Sequence, residues 1–349
     1  MRKTLLVLCP PFLLCTLAHA ASFDCTKAKT AQEEAICASP ALSAADDQMA
    51  AAYKAWLGAA QPAWAAGIRE NQLAWLRERD LSCPAGDAND PVASCLSNMY
   101  KERIEDLEQM VQHFAGVTFV SQSITLTAPD PPGSEQIRAM EQTPGFGTLT
   151  ATWPQASSTA PQWTAWNNAI VPAIIQVANA DEETSAHDWS GIVQPSVDRG
   201  LTFTVERANK QWVSASILDD YDGHGAHPTE NSAEFYWMLA EQRALKPEDV
   251  FLPNSGWATW MEKSLDSYLH KTLDAQSGGN YQTWFQAGEL SKVLAALTTN
   301  PGNWDLEPDG FSIFFQPYQV ACYACTPKPM TIPWSDLKPY LQPSFVLPQ

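Results

Sequence analysis

The residues most suited to chemistry lie close together in the second half of the chain. Asp219, Asp220, Asp222, His224 and His227 bring carboxylates and imidazoles into one short stretch. Both groups are zinc ligands, and a carboxylate beside the metal can act as general acid or base. A zinc motif on a helix places its two histidines four residues apart, whereas these are three apart among glycines and a proline. The pattern therefore favours a tight turn over a metal site, and a metal-dependent hydrolase is the less favoured alternative.

The same turn supplies the candidate binding residues, which are Tyr221, Asp222, His224 and His227. His227 can instead serve the turn itself by forming a hydrogen bond within it. The sequence shows no Gly-x-Ser-x-Gly elbow, no phosphate-binding loop and no cysteine in the setting of a nucleophile. We therefore expect a protein that is not an enzyme, with no catalytic residues, no bound metal and no cofactor.

The pair Cys322-Tyr-Ala-Cys325 has the spacing of a redox-active dithiol. Such pairs usually begin a helix in a thioredoxin-like unit, where the helix terminus lowers the thiol pKa. This pair instead follows a predicted strand, so a small structural disulfide is favoured over a thiol oxidoreductase.

The first residues have the features of an export signal. Arg2 and Lys3 precede a mostly apolar stretch over residues 4–17, and Ala18-His19-Ala20 offers the small residues that a signal peptidase recognises. Cleavage before Ala21 would place the mature chain, from residue 21, in the periplasm or outside the cell.

No integral membrane span is expected in the mature chain. Pro10 and Pro11 break the apolar stretch, and no later run approaches the roughly twenty apolar residues that a spanning helix needs. Cys15 loosely resembles a lipoprotein site, but such sites have a small residue directly before the cysteine and Leu14 is not small. A lipid anchor is therefore the less favoured alternative.

The chain is strongly acidic, with 39 acidic and 21 basic residues and a net charge of −18. Loss of Arg2 and Lys3 with the signal peptide leaves 19 basic residues and a charge of −20. Nucleic acid would be repelled, because its binding requires Lys and Arg at the phosphates. A basic protein partner would be attracted, although acidity also serves solubility alone.

Residues 21–115 are predicted to form a helical domain. Leu42, Met49, Tyr53 and Trp56 recur at helical spacing, and two further amphipathic helices follow. The last of them has Leu96, Tyr100, Arg103, Ile104, Leu107 and Val111 at helical spacing. Six cysteines remain in the mature chain, an even number in an oxidising compartment, so disulfides are expected. The six are Cys25, Cys37, Cys83, Cys95, Cys322 and Cys325. Cys25 and Cys37 are separated by the same interval as Cys83 and Cys95, which favours two local bridges, while the crossed pairing of Cys25 with Cys95 and Cys37 with Cys83 stays open.

The residues of this domain resemble the N-terminal domain of the lysozyme inhibitor LprI family. The resemblance covers nearly the whole segment from Cys25 to Leu107 and includes Glu34-x-x-Cys37, Gln72-x-x-Trp75-x-x-x-Arg79-Asp80-x-x-Cys83, Cys95, Tyr100 and Arg103. It implies the helical fold and, since one family member is linked to lysozyme inhibition, a lysozyme partner. The polar residues Gln72, Arg79, Asp80 and Arg103 are interpreted as a buried network that fixes helix packing, in preference to partner contacts.

A boundary near Gly116 separates helices from strands, and residues 117–349 are predicted to form a mixed α+β domain with an antiparallel sheet. Residues 201–207 alternate in polarity, and Asn209-Lys210 turns the chain into a second strand, which gives a hairpin. Residues 163–177 indicate a helix interrupted at Pro172, residues 257–269 indicate an amphipathic helix, and residues 281–297 indicate another.

This domain resembles the exported, lysozyme-binding C-terminal domain of the anti-sigma factor RsiV. The resemblance rests on residues 221–228, 245–251, 309–320 and 331–337 in that order. The sigma-factor-binding part and its membrane helix have no counterpart ahead of the domain, so only the binding role is implied.

The two resemblances and the acidic charge indicate an exported binding protein for a basic partner, with lysozyme as the expected one. The alternative is an envelope or cell-wall-associated binding or adaptor protein with a different partner. The metal-dependent hydrolase at His224 and His227 stays the third hypothesis.

Overall fold

The computed structural model describes residues 21–83, 92–114, 116–133, 145–178, 189–224 and 227–348. The predicted signal peptide, residues 1–20, lies outside these residues. The described chain forms two compact units. The first comprises the described parts of Met1–Ala55 and Ala74–Glu108, and the second those of Trp56–Leu73 and Gln109–Gln349.

The N-terminal region is helical, as its periodicity predicts, but its last helix ends before Val111, which lies in a strand at Val111–Phe114 and not in the predicted helix. The helices are α1 (Ala31–Ala38), α2 (Pro40–Ala59), α3 (Ala65–Ser82) and α4 (Val92–Gln109). Thr30 begins α1 with a capping box, in which its hydroxyl accepts from the Glu33 amide and the Glu33 carboxylate accepts from the Thr30 amide. One face of α4 is buried at helical spacing, through Leu96, Tyr100, Arg103, Ile104 and Leu107.

Both N-terminal disulfides are local. Cys25 is bonded to Cys37 and Cys83 to Cys95, each across a sequence separation of 12. The crossed pairing left open by the sequence does not occur. Each bridge closes a short loop and therefore restricts the unfolded chain.

The second unit includes the end of α2 and the start of α3, which the sequence places in the helical domain. The Trp56 indole donates to the Ser121 carbonyl at 2.7 Å, and the Asn71 amide donates to the Ser123 hydroxyl at 2.9 Å. At Gly67, a Cβ would lie 2.6 Å from the Ser123 carbonyl oxygen, so only glycine permits this approach of helix to strand. Residues 56–73 thus group with the strand that carries Ser121 and Ser123.

The second unit is built on a seven-stranded sheet in the order β1 to β7. Its strands are β1 (Val111–Phe114), β2 (Val117–Pro129), β3 (Phe146–Ala156), β4 (Asp198–Ala208), β5 (Trp212–Asp222), β6 (Thr229–Met238) and β7 (Arg243–Ala244). All neighbours are antiparallel except β3 and β4, which are parallel. A parallel pair needs a crossover, and helix α5 (Pro161–Ala178) lies in that connection.

Helix α5 differs from its prediction because it continues through Pro172. Proline in a helix interior loses one hydrogen bond and costs about 3 kcal/mol. The helix buries Trp166, Ile170 and Ile174 in the core with the sheet, where each is fully buried. This burial offsets the proline.

The rest of the unit is a second layer of helices and a three-stranded sheet. Its elements are α6 (Pro247–Val250), α7 (Trp257–Leu273), α8 (Glu289–Thr299), β8 (Trp304–Leu306), β9 (Gly310–Ile313), β10 (Met330–Pro333) and α9 (Trp334–Leu337). The small sheet has the order β10-β9-β8 and is antiparallel. These elements share a core with Trp212, Tyr236 and Met238 from β5 and β6.

The helix predicted over residues 281–297 is divided in the structure. A 3₁₀ turn covers Tyr281–Trp284, and α8 starts only after Gly288. Gly288 has a φ of 80°, a left-handed conformation that ends any continuous helix and favours glycine.

Candidate functional site

The predicted turn joins β5 to β6 and is closed by its own side chains. The amide of His224 donates to Asp222 Oδ1 at 2.8 Å. His224 has a φ of 55°, so the left-handed backbone falls on a histidine and not on the described glycine, Gly223. Gly225 and Ala226 lie outside the described residues.

The two histidines have different partners. His224 Nε2 lies 3.4 Å from Asp198 Oδ2, which forms an ion pair when the imidazole is protonated. His227 Nδ1 lies 2.8 Å from the Pro228 carbonyl oxygen, and its Nε2 is 3.5 Å from the Tyr318 hydroxyl. Among the described residues, no group of three or more His, Cys, Asp or Glu side chains is arranged to hold a metal ion.

Asp219 belongs to the core and not to the turn. Its carboxylate accepts two hydrogen bonds from Arg199, from Nε at 2.8 Å and from NH2 at 2.7 Å. Arg199 NH2 also donates to the Ala178 carbonyl at 2.7 Å, and the guanidinium lies 5.9 Å from the centroid of the Tyr221 ring. This buried pair fixes Tyr221 at the start of the turn.

Four carboxylates occupy one face of the sheet beside the turn. Asp198 on β4 is directly opposite Asp222 on β5, and Asp220 on β5 is directly opposite Glu230 on β6. Residues directly opposite each other on neighbouring strands share a face of the sheet, and so do residues two apart on one strand, such as Asp220 and Asp222. The four carboxylates therefore lie on the same face. We call Asp198, Asp220, Asp222 and Glu230 the acidic hairpin end.

Like charges directly opposite each other destabilise a sheet by a few tenths of a kcal/mol to about 1 kcal/mol per pair. Asp220 and Glu230 are exposed, and Asp198 is 40% exposed. A positively charged partner placed over this face would relieve the repulsion.

An aromatic cluster lies beside the acidic hairpin end. The His227 and Tyr323 ring centroids are 4.5 Å apart, and those of Tyr323 and Tyr318 are 5.9 Å apart. Tyr318 is 61% exposed and has a φ of 64°, while Tyr323 is 39% exposed. We call His227, Tyr318 and Tyr323 the aromatic cluster.

The aromatic cluster is held in place from two sides. Gln316 Oε1 accepts from the Ser232 amide at 2.8 Å, and its Nε2 donates to the Ser232 carbonyl, so its amide pairs with β6 like a neighbouring strand. Cys322 and Cys325 are bonded to each other across Tyr323, as the sequence predicts. Tyr318 and Tyr323 were not predicted from the sequence as binding residues, and the one signal for them is that Tyr323 lies inside the cysteine pair.

A second group of carboxylates lies further along the same sheet face. Glu234 Oε2 on β6 is buried and has no hydrogen-bond partner within the part of the chain that the structure describes. Burial, followed by the nearby charges of Asp305 and Glu206, raises the pKa of Glu234 well above its ordinary value. The cation that opposes this shift is Arg207, which is bound to Asp305 at 2.9 Å.

The polar residues of the N-terminal unit form internal contacts. The Tyr100 hydroxyl donates to Asp46 Oδ1 at 2.8 Å and accepts from Arg79 NH1 at 3.0 Å, and the Ser22 amide donates to Asp46 Oδ2 at 2.7 Å. Burial raises the pKa of Tyr100, which stays neutral. These contacts give Arg79 the structural role that the sequence suggested, and they add Asp46 to the network.

Trp75 connects the network to a second arginine. Arg79 and Arg103 lie 5.9 and 5.7 Å from its ring centroid, and Tyr100 meets its edge at 5.5 Å. Burial lowers the pKa of Arg103 to about 10, well above neutral pH, so its guanidinium stays charged. Asp80 is exposed and pairs with Arg79 at 2.6 Å.

Negative charge is concentrated after the N-terminal helices. Residues 108–349 contain 26 acidic and 11 basic residues, whereas residues 25–107 contain 12 and 8. Among the described residues, no helix is both long enough and apolar enough to span a membrane. The three disulfides are typical of an oxidising, extracytoplasmic compartment.

Two structures of the DUF3298 family are similar to this chain. One, from Pseudomonas aeruginosa PAO1, is 14% identical with a TM-score of 0.44, and the match covers 64% of this chain and 95% of that one. The other, from Bacteroides fragilis NCTC 9343, is 16% identical with a TM-score of 0.43, over 66% of this chain and 96% of that one. No curated protein matches the chain.

Two family models match separate parts of the sequence. Residues 25–107 match the family described as lysozyme inhibitor LprI. This range of the chain includes both N-terminal disulfides and the Arg79–Tyr100–Asp46 network. Residues 248–335 match the family described as a protein of unknown function, DUF3298. This range includes Tyr318 and Tyr323 of the aromatic cluster. The chain is thus similar to the lysozyme inhibitor LprI family over its N-terminal helices and to DUF3298 over its C-terminal part.

Proposed function

We propose that this chain is an exported, disulfide-bonded protein that binds a basic lysozyme and inhibits it. The observation that carries the proposal is the match of residues 25–107 to the lysozyme inhibitor LprI family. The net charge of −18 supports it, because a basic enzyme is attracted and steered by an acidic surface.

The acidic hairpin end and the aromatic cluster are the proposed contact surface in the second unit. They combine the exposed carboxylates of Asp220 and Glu230 with exposed tyrosines, and tyrosine is enriched among the residues that dominate binding energy in protein interfaces. This assignment keeps Asp222 and His227, two of the candidate binding residues from the sequence. Tyr221 and His224 position the turn, through Arg199 and Asp198 respectively.

We also propose that the chain binds without catalysing a reaction. His224 and His227 bind different partners, and Asp219 is committed to a buried ion pair with Arg199. The two imidazoles and Asp219 therefore do not converge on one point, as the ligands and base of a zinc hydrolase would have to.

Association kinetics with a basic lysozyme test the proposal and its surface. We expect the double variant Asp220→Asn, Glu230→Gln to slow association about three- to tenfold at low ionic strength, with little change at high salt. The matched control is Asp309→Asn, Asp336→Asn, which removes the same charge from exposed positions outside the hairpin end. Equal slowing of association by both double variants would show that net charge, and not the acidic hairpin end, determines the association rate. No binding by the unmodified protein would contradict the proposed function and favour an envelope protein with another partner.

A further inference from the structure

A groove lies between α7, α8 and the 3₁₀ turn before α8. Its cavity volume is about 590 Å³, within the range of about 300–1,000 Å³ found for small-molecule sites. Phe285, Leu290 and Leu294 supply its apolar surface, and Glu262, Asp266 and Gln282 contribute to its polar surface. We call this cavity the α7–α8 groove.

The wall formed by residues 280–288 is tied together by its own hydrogen bonds. Asn280 Oδ1 accepts from the Gln282 amide at 3.0 Å, and the Thr283 hydroxyl donates to the Asn280 carbonyl at 2.8 Å. The Gln286 amide donates to Glu289 Oε2 at 2.8 Å, which ties the end of the wall to the start of α8. A site formed before the ligand arrives loses less conformational entropy on binding.

Asp266 is positioned from the same wall. Its Oδ1 accepts from the Tyr281 hydroxyl at 2.6 Å and from Gln282 Nε2 at 3.2 Å. Tyr281 is fully buried, and Phe285 packs against it edge to face with 6.2 Å between ring centroids. The carboxylate and the aromatic ring of the groove are therefore held by one buried side chain.

The groove's chemistry selects a class of ligand. An apolar ligand would cover the Glu262 carboxylate and the Gln286 amide without offering either a hydrogen bond, which costs about 1–3 kcal/mol for each group left unsatisfied. An anionic ligand would face the carboxylates of Glu262 and Asp266, which Lys263 and the neighbouring His270, 3.9 Å from Asp266, balance only in part. A sugar ring offers an apolar C–H face to Phe285 and the leucines, and hydroxyls that both donate to carboxylates and accept from amides.

We propose that the α7–α8 groove binds a neutral carbohydrate of one to a few sugar units. The proposal goes beyond lysozyme binding and does not depend on it, because the groove shares no residue with the acidic hairpin end or the aromatic cluster. A protein of the cell envelope would meet such ligands as fragments of cell-wall glycans or as free oligosaccharides.

Calorimetric titration of the full mature chain with oligomers of N-acetylglucosamine and with maltotriose tests the proposal. Binding of the N-acetylated oligomers alone would assign the groove to cell-wall glycans, and binding of both would assign it to neutral oligosaccharides in general. A neutral ligand predicts the same affinity at low and high ionic strength. The absence of binding by either sugar, or binding only of a basic peptide with strong salt dependence, would overturn the proposal.

Three variants locate the binding. Ser291 is exposed and lines the groove, so Ser291→Arg fills it without disturbing the core and should weaken sugar binding at least about tenfold. Thr299→Arg places the same side chain at an exposed position of the same helix outside the groove and should leave affinity unchanged. Unchanged affinity in Ser291→Arg would contradict the assignment. Phe285→Tyr, which keeps the ring, should retain binding.

Discussion

The buried ion pair between Arg199 and Asp219 gives the sharpest test of the second unit. Both side chains are largely excluded from water, with 8% and 6% exposed, and the pair has two hydrogen bonds of 2.7 and 2.8 Å. Arg199 also donates to the Ala178 carbonyl and lies over Tyr221. Asp219→Ala would leave the guanidinium buried with its main partner removed.

We expect Asp219→Ala to lower the free energy of unfolding by about 3–5 kcal/mol, the usual cost of breaking a buried pair from one side. Replacement of both residues, as Arg199→Met with Asp219→Leu, removes both charges and retains apolar volume. Since the desolvation of two ions is then avoided, the double variant should recover to within about 1–2 kcal/mol of the parent. The stability of Asp219→Asn should lie between that of Asp219→Ala and that of the double variant, because the Asn amide retains one hydrogen-bond acceptor.

Urea denaturation measures these changes in the free energy of unfolding, because the midpoint and slope of the unfolding transition give the stability of each variant. Urea is uncharged and leaves charge interactions unscreened. Hydrogen exchange at residues 198–222 would show whether the loss is local to β4 and β5. A cost below about 1 kcal/mol for Asp219→Ala, or a double variant as unstable as the single one, would refute the role given to the pair.

Two further predictions concern charge and cross-links in the fold. The pKa of Glu234 is raised in the folded state, so the stability that its protonated form contributes is complete below the unfolded pKa near 4.5 and is lost as pH rises through the folded pKa. Glu234→Gln should therefore raise the melting temperature at pH 8 and leave it unchanged at pH 4. An equal change in melting temperature at both pH values would argue against this titration. Replacement of Cys83 and Cys95 by alanine should lower the free energy of unfolding by about 3 kcal/mol, and replacement of Cys322 and Cys325 by about 2 kcal/mol, because the sequence separations are 12 and 3. Chemical denaturation of both double variants measures the two losses. A larger loss for the Cys322–Cys325 bridge would contradict this prediction.

Local patterns in the sequence predicted the elements whose stability is local. The spacing of Leu96, Tyr100 and Leu107 predicted the buried face of α4, and alternation around Asn209-Lys210 predicted the β4–β5 hairpin. Equal spacing of the four N-terminal cysteines favoured the bridges that form. The single helix predicted over residues 281–297 was wrong, because periodicity carries no information on the left-handed backbone at Gly288.

The candidate site depends on contacts that no local pattern contains. Asp222 and His227 were selected from their own turn, but the partners Asp198 and Tyr318 are distant in the sequence. Strand register places Asp198 against Asp222, and a one-residue shift would move their side chains to the opposite face. The charge of the turn was therefore visible in the sequence, whereas its concentration on one face was not.

Lysis of bacterial cell walls by a basic lysozyme, followed by turbidity, tests the central claim most directly. We expect the mature protein to slow lysis in proportion to its amount until it equals the enzyme, and to do so less effectively at high salt, because charge assists association. Unchanged lysis with the protein in excess at low salt would contradict inhibition.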